Sequence, residues 1–286
     1  MSKIIKALVI ILAFITLFVF VYMYAKYFGT NGYYVKEYLI ESETISTDYD
    51  GLKIAHLSDI HFDNDLNIKN FKKIIKDVNK KKPDIIVLTG DLLSDEISEE
   101  LSNELISIMN TLEATSGKYI IDGNHDYKYK KWDELAEECG FTIINDTYEV
   151  IYQDSYDYIF LAGVSNNTYT EKTIDEKMEV AFNFMNSEEF NSTFNILLLH
   201  EPDFVKDIDY SKFDLILAGH SHNGQVRLPF IGAFYTPIHS KIYYKPYHNL
   251  ETADLYISSG IGTSELPVRL FNKPSYNFYR IVKKES

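Results

Sequence analysis

Asp59-Ile60-His61 sets a carboxylate and an imidazole two residues apart. In an extended segment such residues face the same side, so both can reach one ion. Asp91 follows Gly90, whose missing side chain lets the backbone come close to a site. Asn124 and His125 follow Gly123, His200 closes the run NILLLH, and His220-Ser221-His222 repeats the two-apart spacing after LILAG. Carboxylate, imidazole and one amide oxygen suit borderline divalent metals (manganese first, then iron or zinc) better than magnesium or calcium. Asp59, His61, Asp91, Asn124, His200, His220 and His222, seven ligand-type residues, are too many for one ion. Two ions about 3.5–4 Å apart, bridged by one carboxylate, use them all. A single histidine after an apolar run is ordinarily a core or turn residue, and a lone Gly-Asp is an ordinary turn. Five of the eight histidines, however, fall in the ordered series D-x-H, G-D, G-N-H-D, H, G-H-x-H, and the conjunction carries the reading.

These motifs must be held by the elements before them. Leu52–Leu57, Ile85–Leu88, Tyr119–Ile121, Asn195–Leu199 and Leu215–Ala218 read as strands, and each ends where a polar motif begins. In open α/β sheets that rim is where sites are built. Ile68, Phe71, Ile74, Ile75 and Val78 recur at helical spacing with Pro83 as the stop, and further helices are expected over Glu99–Glu113 and Glu171–Asn186. Glu149–Tyr152 and Tyr158–Val164 add strands, and turn signals stand at Asn223-Gly224 and from Gly260 to Gly262. The pattern predicts one layered α/β domain with mixed sheets over residues 35–286.

From about Gly51 onward the chain resembles the calcineurin-like metallophosphoesterase superfamily. The resemblance implies a four-layer α/β/β/α sandwich, and an N-terminal transmembrane helix, read from the apolar run described below, is expected ahead of it. It implies that Asp59, His61 and His222 hold one metal, that Asn124, His200 and His220 hold the other, and that Asp91 bridges them. His125 matches the catalytic histidine beside the substrate phosphate, which stabilises charge or protonates the leaving oxygen. The expected reaction is phosphoester hydrolysis by a metal-bridging hydroxide, the metals having lowered the pKa of a bound water. GHSHNGQVRLP and SSGIGTSELPVRLFNKP are similar to the membrane-associated branch that includes the bacterial YkuE and YaeI proteins and the UDP-2,3-diacylglucosamine hydrolases. Asn223 stands where that branch usually has glycine, and Ser221 replaces the commoner threonine. Some superfamily members orient the catalytic histidine with an aspartate three residues after the bridging one. Here Ser94 occupies that place, with Asp95 next. Arg227 and Arg269 are candidate phosphate contacts, since guanidinium suits bidentate recognition. His56, inside a strand, reads as structural, while His239 and His248 lie in a Tyr-rich segment that forms either a substrate-side loop or a surface hairpin.

Ala7 to Ala25 is a run without a charged residue, preceded by Lys3 and Lys6 and ending with Tyr22 and Tyr24 at the interfacial level. As a helix it matches a hydrocarbon core of about 30 Å. Lys26-Tyr27-Phe28 offers no small-x-small cleavage site, so residues 1–34 read as an uncleaved anchor with GTNG (29–32) as a flexible joint. The leading lysines predict a single-pass cell-membrane protein with its catalytic domain outside the cytoplasm. Beyond residue 34 the chain carries 25 basic and 42 acidic side chains, which excludes nucleic acid as an expected partner. Cys139 is the single cysteine, so neither a disulfide nor a thiolate cage is available. The expected substrate is a phosphorylated small molecule or lipid of the cell envelope. Two other readings are a UDP-2,3-diacylglucosamine-type pyrophosphate hydrolase, which requires a cytoplasmic domain, and a non-catalytic scaffold on the same fold. A single-metal protease or deaminase lacks its HExxH or paired-cysteine signature.

Overall fold

The computed structural model describes residues 2–63, 66–152, 156–166, 168 and 170–284. Among these residues the apolar runs assemble into two six-stranded sheets. The first has the order β1 (Tyr34–Ser42), β14 (Ser275–Lys283), β2 (Leu52–Leu57), β3 (Ile85–Thr89), β4 (Lys118–Ile121) and β5 (Thr142–Ile143). The second has β12 (Tyr247–Asn249), β13 (Asp254–Ile257), β9 (Leu215–Ala218), β8 (Ser192–Leu199), β7 (Tyr158–Val164) and β6 (Thr147–Tyr152). Strands β2 to β5 run parallel, as do β7, β8, β9 and β13. A two-stranded hairpin, β10 (Arg227–Leu228) with β11 (Gly232–Ala233), stands apart.

Alternation along each strand sets the layers. Ile86 and Leu88 of β3 face helices α2 (Ile68–Lys81), α3 (Glu99–Met109) and α4 (Trp132–Glu138). Ile85 and Val87 point the other way and meet Ile196, Leu198, Leu215 and Leu217 of the second sheet. Leu197, Leu199 and Ile216 face away again, toward α5 (Ile174–Met185). The order is therefore α/β/β/α. Strands buried on both faces read as unbroken apolar runs, which is why they were visible in the sequence.

Helix ends follow their chemistry. Asn67 caps α2, which stops at the left-handed Lys82 just before Pro83. A capping box of Thr173 and Glu176 opens α5. Helix α3 ends at Met109 rather than Glu113, because the amides of Thr111 and Leu112 turn back to the Ile108 and Met109 carbonyls in tighter bonds.

Ahead of the sheets, α1 (Lys3–Tyr24) has 22 residues, about 33 Å, and buries none of them. It continues through a π-helical turn, Ala25–Gly29, and this combined helix is long and apolar enough to cross a membrane. The joint that follows is not slack. Gly29 lies so close to the 269 backbone that a Cβ there would stand 1.7 Å from the Arg269 carbonyl oxygen. The Arg269 amide donates to the Ala25 carbonyl at 3.0 Å, and Ala25 packs with Val268 and Leu270. Glycine is needed here for close approach rather than for flexibility, which corrects the expectation of a loose linker.

Candidate metal centre

Parallel strands deliver their C-terminal ends to one rim, and the polar motifs meet there. Asp59, His61 and His222 form one buried group of potential ligands, and Asp91, His200 and His220 another. In the first, His61 Nε2 is 3.1 Å from His222 Nε2, and His222 Nε2 is 3.4 Å from Asp59 Oδ1. In the second, His200 Nε2 is 3.3 Å from Asp91 Oδ2 and 3.1 Å from Asn124 Oδ1. Asp91 Oδ2 also lies 3.5 Å from His61 Nε2, so a single oxygen borders both groups. Donors bound at about 2.1 Å to one ion stand about 3 Å apart at a right angle and about 3.4 Å apart in a tetrahedron. The spacing and the donor chemistry therefore both fit divalent cations. The residues present can hold them.

The backbone reaches this arrangement by leaving the strand. Asp59, His61, Asp91, His220 and His222 have φ between 45° and 63°. The D-x-H and H-x-H pairs were expected to share a side through extended alternation. They converge instead through left-handed backbone at alternate residues just after β2 and β9. Left-handed backbone at non-glycine residues is costly and is sustained by surrounding contacts. Here the Asp59 amide bonds the Gly90 carbonyl and the His61 amide bonds the Asp91 carbonyl, each at 3.0 Å. Gly90 itself has φ 81°, and a Cβ on it would sit 2.5 Å from His200 Nδ1.

Hydrogen bonds behind the donors fix their tautomers. His200 Nδ1–H donates to the Thr89 carbonyl at 2.7 Å, which turns Nε2 toward Asp91, where it carries a proton that a bound cation would replace. His220 Nε2–H donates to the Ile238 carbonyl at 2.6 Å, leaving Nδ1 for the centre. Asp91 Oδ1 accepts from the His125 amide at 2.8 Å, so Oδ2 alone is free to bridge. Behind Asp59 runs a chain of donors. Ser58 Oγ donates to Asp59 Oδ2 (2.6 Å), Thr89 Oγ1 to Ser58 (2.9 Å), and His56 Nε2–H to Thr89 (2.8 Å), while His56 Nδ1 faces the Tyr279 hydroxyl at 3.3 Å.

Electrostatics favour ligation. Burial pushes the His61 imidazole down to about 3 and His222 well below its ordinary value, with Arg269 adding to both, so the rings are neutral as ligands must be. Burial also raises Asp59 to about 6. Burial acts to raise Asp91 too, but His200, His61 and His125 hold it well below the carboxylate range. His200 moves oppositely: burial lowers it, yet Asp91 and Asp59 bring it up to about 10.

His125 is placed at the groove with its Nδ1–H donating to the Ser94 backbone carbonyl at 3.1 Å. Among the described residues no carboxylate is hydrogen-bonded to its ring. Ser94 Oγ instead donates to Asp63, and Asp95 pairs with Lys128 at 3.5 Å. Asn223 takes φ 50°, which asparagine tolerates better than most residues and which accounts for its standing in for glycine. Ser221 Oγ accepts from the Asn223 amide at 3.0 Å, as a threonine hydroxyl would. Arg227 spends Nη1 on the Asn223 carbonyl and side-chain oxygens at 2.8 and 2.9 Å. Arg269 does not meet the groove: it is wholly buried, and its guanidinium donates to the carbonyls of Gly262, Ser259 and Gly260 while Nη2 lies 3.3 Å from His222 Nδ1. It braces the loop behind His222, and the sequence pattern could not distinguish that role from a phosphate contact. The Tyr-rich segment is on the site side, since Ile238 and Pro237 border His220 and the groove. His239 packs on Phe204 and His248 on Tyr243, away from the donors.

Two supporting residues escaped sequence reasoning. Asp126, buried and raised to about 8 by burial and by Asp91, accepts from the Leu93 and Gly123 amides and shapes the loop that presents Asn124 and His125. Asp203 gathers the amides of Lys241, Ile242 and Tyr243. Only the fold brings these partners within reach. The centre opens into a groove of about 730 Å³ whose walls are largely apolar, including Phe234, Leu266 and, from α1, Phe18.

A family model described as calcineurin-like phosphoesterase matches residues 52–224. The chain is 30% identical to the metallophosphoesterase YkuE of Bacillus subtilis over 268 residues, covering 91% of this chain and 89% of that protein. It is 26% identical to a zebrafish (Danio rerio) transmembrane protein with metallophosphoesterase domain, covering 82% of this chain and 54% of that one, so it spans about half of that relative. Among solved structures, TT1561 of Thermus thermophilus aligns with a TM-score of 0.48 and 12% identity, covering 74% of this chain and 90% of the other.

Proposed function

From the premise that the chain belongs to the calcineurin-like phosphoesterase family, we propose that it hydrolyses a phosphate ester or anhydride at a two-metal centre and does so at a membrane surface. The observation that carries the first part is Asp91 Oδ2, within 3.5 Å of donors in both groups. Asp59, His61 and His222 would hold one divalent ion and Asn124, His200 and His220 the other, with Asp91 shared; manganese is the first metal to try. When bound, such ions polarise the phosphoryl group and supply a nucleophile at neutral pH.

The chain's own residues do the rest. Thr89 and Ile238 hold His200 and His220 in the tautomers that ligation needs. Asp126 and the Asp91–His125 amide bond fix the loop, so that His125 Nε2 faces the groove while Nδ1 stays tied to Ser94. An imidazolium there would donate from Nε2 to the phosphoryl or leaving oxygen. The Asp and His donors are themselves buried, which limits water around them and strengthens each of these interactions.

The second part rests on α1, whose exposed apolar surface over its whole length suits hydrocarbon, and on a groove wall that includes Phe18 of that helix. Lys3 and Lys6 favour a cytoplasmic N-terminus and a catalytic domain on the outer face. A substrate carried by the bilayer, a lipid-linked or envelope phosphate, suits this placement better than a free metabolite. The full-length protein in detergent, assayed with aryl phosphate mono- and diesters under manganese, zinc and iron, tests the activity. Metal-independent turnover, or undiminished turnover by His125→Ala, would sink it. A reporter fused at the C-terminus that works only in the cytoplasm would reverse the orientation and favour the cytoplasmic pyrophosphate hydrolase reading.

A further inference from the structure

We infer that the segment from Gln225 to Leu250 is a docking lobe that lies on an anionic bilayer surface and turns the mouth of the metal groove toward the lipid. The inference deepens the bilayer-side reading of the site and rests on it.

Three observations converge. The first is composition: the chain has 42 acidic residues, yet this 26-residue segment has none, while it carries Arg227, Lys241 and Lys245. On so acidic a protein, such a stretch is where a negative surface can approach without repulsion. The second is exposure. The β10–β11 hairpin ends in Pro229-Phe230-Ile231, with Phe230 fully exposed and Ile231 at 74%. Phe234, Ile238 and Ile242 continue the apolar face along the loop, each more than half exposed. Phe230 has φ 66°, a costly conformation for a bulky residue, and it holds the ring out at the hairpin tip. Exposed large apolar side chains gathered in one segment are the material of an interaction site.

The third observation selects the occupant. Val226 and Leu228, at the base of the same hairpin, pack against the cluster of Ala25, Val268 and Leu270 that seats the end of α1. The lobe is thus fixed to the point where the apolar helix leaves the domain. Phe18, seven residues before Ala25 and so about 10 Å up the helix, lines the groove with Asp91, His220 and Phe234. If α1 is in hydrocarbon, the groove mouth and the hairpin tip are at the lipid surface. Basic residues beside an inserted apolar tip are the pattern of an interfacial contact with anionic lipid. Glu265 also lines the groove but is outside the lobe. The ligand so presented is a phosphate on an acyl-chain carrier, with its chains along Phe234, Leu266 and Phe18.

The test uses the full chain reconstituted in vesicles of phosphatidylcholine brominated on its acyl chains, with and without phosphatidylglycerol. The parent's single tryptophan, Trp132, is buried and serves as the internal reference. A Phe230→Trp variant should lose at least about half of its added emission to the bromines, more so with phosphatidylglycerol. Lys241→Glu/Lys245→Glu in that background should abolish the phosphatidylglycerol effect. Phe230→Ser/Ile231→Ser, which leaves the donors and groove walls intact, should hydrolyse vesicle-borne phosphatidate about tenfold more slowly while keeping turnover of a soluble aryl phosphate. Quenching no stronger than that of Trp132 overturns the docking lobe and leaves the apolar face to a protein partner. Quenching indifferent to phosphatidylglycerol overturns the anionic surface. A parent that is quenched as expected but hydrolyses neither substrate fails as a phosphoesterase while the docking stands.

Discussion

His125 Nδ1 donates to the backbone carbonyl of Ser94 at 3.1 Å, and the Ser94 side chain points elsewhere, to Asp63 at 2.6 Å. A carbonyl fixes the ring's tautomer as a carboxylate would but adds no negative charge beside it. The orienting group therefore belongs to the chain path rather than to any side chain. Ser94→Ala should leave kcat within about twofold of the parent, whereas His125→Ala should lower it by about 10²–10⁴ with little change in KM. Steady-state kinetics on an aryl phosphate decides it, and a Ser94→Ala loss as large as that of His125→Ala would show the hydroxyl to be the orienter.

Asp91 Oδ2 borders donors of both groups. Asp91→Asn keeps the shape and the Oδ1 contact to the His125 amide but removes the charge that two cations would share. The variant should retain at most one metal per chain by elemental analysis and lose at least about a hundredfold in activity. His222→Ala, which touches one group only, should keep the other ion. If Asp91→Asn still holds two ions, the bridging assignment fails.

Much of this centre was legible in the sequence because parallel strands buried on both faces leave continuous apolar runs, and each run ends at its polar motif. Ile85–Leu88 before Asp91 and Leu215–Ala218 before His220 are examples. What escaped was whatever depends on contact across the fold. β1 pairs with β14 from Tyr34↔Ser275 to Ser42↔Lys283, and no local pattern joins segments so far apart in the chain. Arg269 was expected as a phosphate contact and is instead buried among carbonyls. The D-x-H spacing pointed to extended alternation, whereas Asp59 and His61 take left-handed backbone, and positive φ leaves no mark in residue type at either.

The chain Asp59–Ser58–Thr89–His56 predicts a role for His56 beyond filling the core. His56→Leu removes a donor to Thr89 and a partner of Tyr279, both buried, at about 1–3 kcal/mol for each group left unpaired. A fall in Tm of several degrees is expected, about 2–4 °C per kcal/mol at this size. Because the same chain orients Asp59, affinity for the ion on the Asp59 side should weaken about tenfold in a metal titration. An unaltered metal affinity with lowered Tm would confine His56 to the core.

Gly29 couples the apolar helix to the centre through a short physical path. Its backbone lies against Arg269, whose Nη2 is 3.3 Å from His222 Nδ1 and whose other donors brace the loop from Ser259 to Gly262. In Gly29→Ala the added methyl has no room, since the Arg269 carbonyl would be 1.7 Å away and is itself backbone. Either the 268–270 segment shifts or the helix lifts from it, at about 1–3 kcal/mol as for other overpacked sites. If the segment shifts, His222 loses its brace, and turnover of a soluble aryl phosphate falls together with Tm. If the helix lifts instead, Tm falls while soluble turnover is preserved and only vesicle-borne substrate is lost. Asn31→Ala, at an exposed position two residues on, is the control and should change neither. Parent-like Tm and turnover in Gly29→Ala would show that the joint has slack after all.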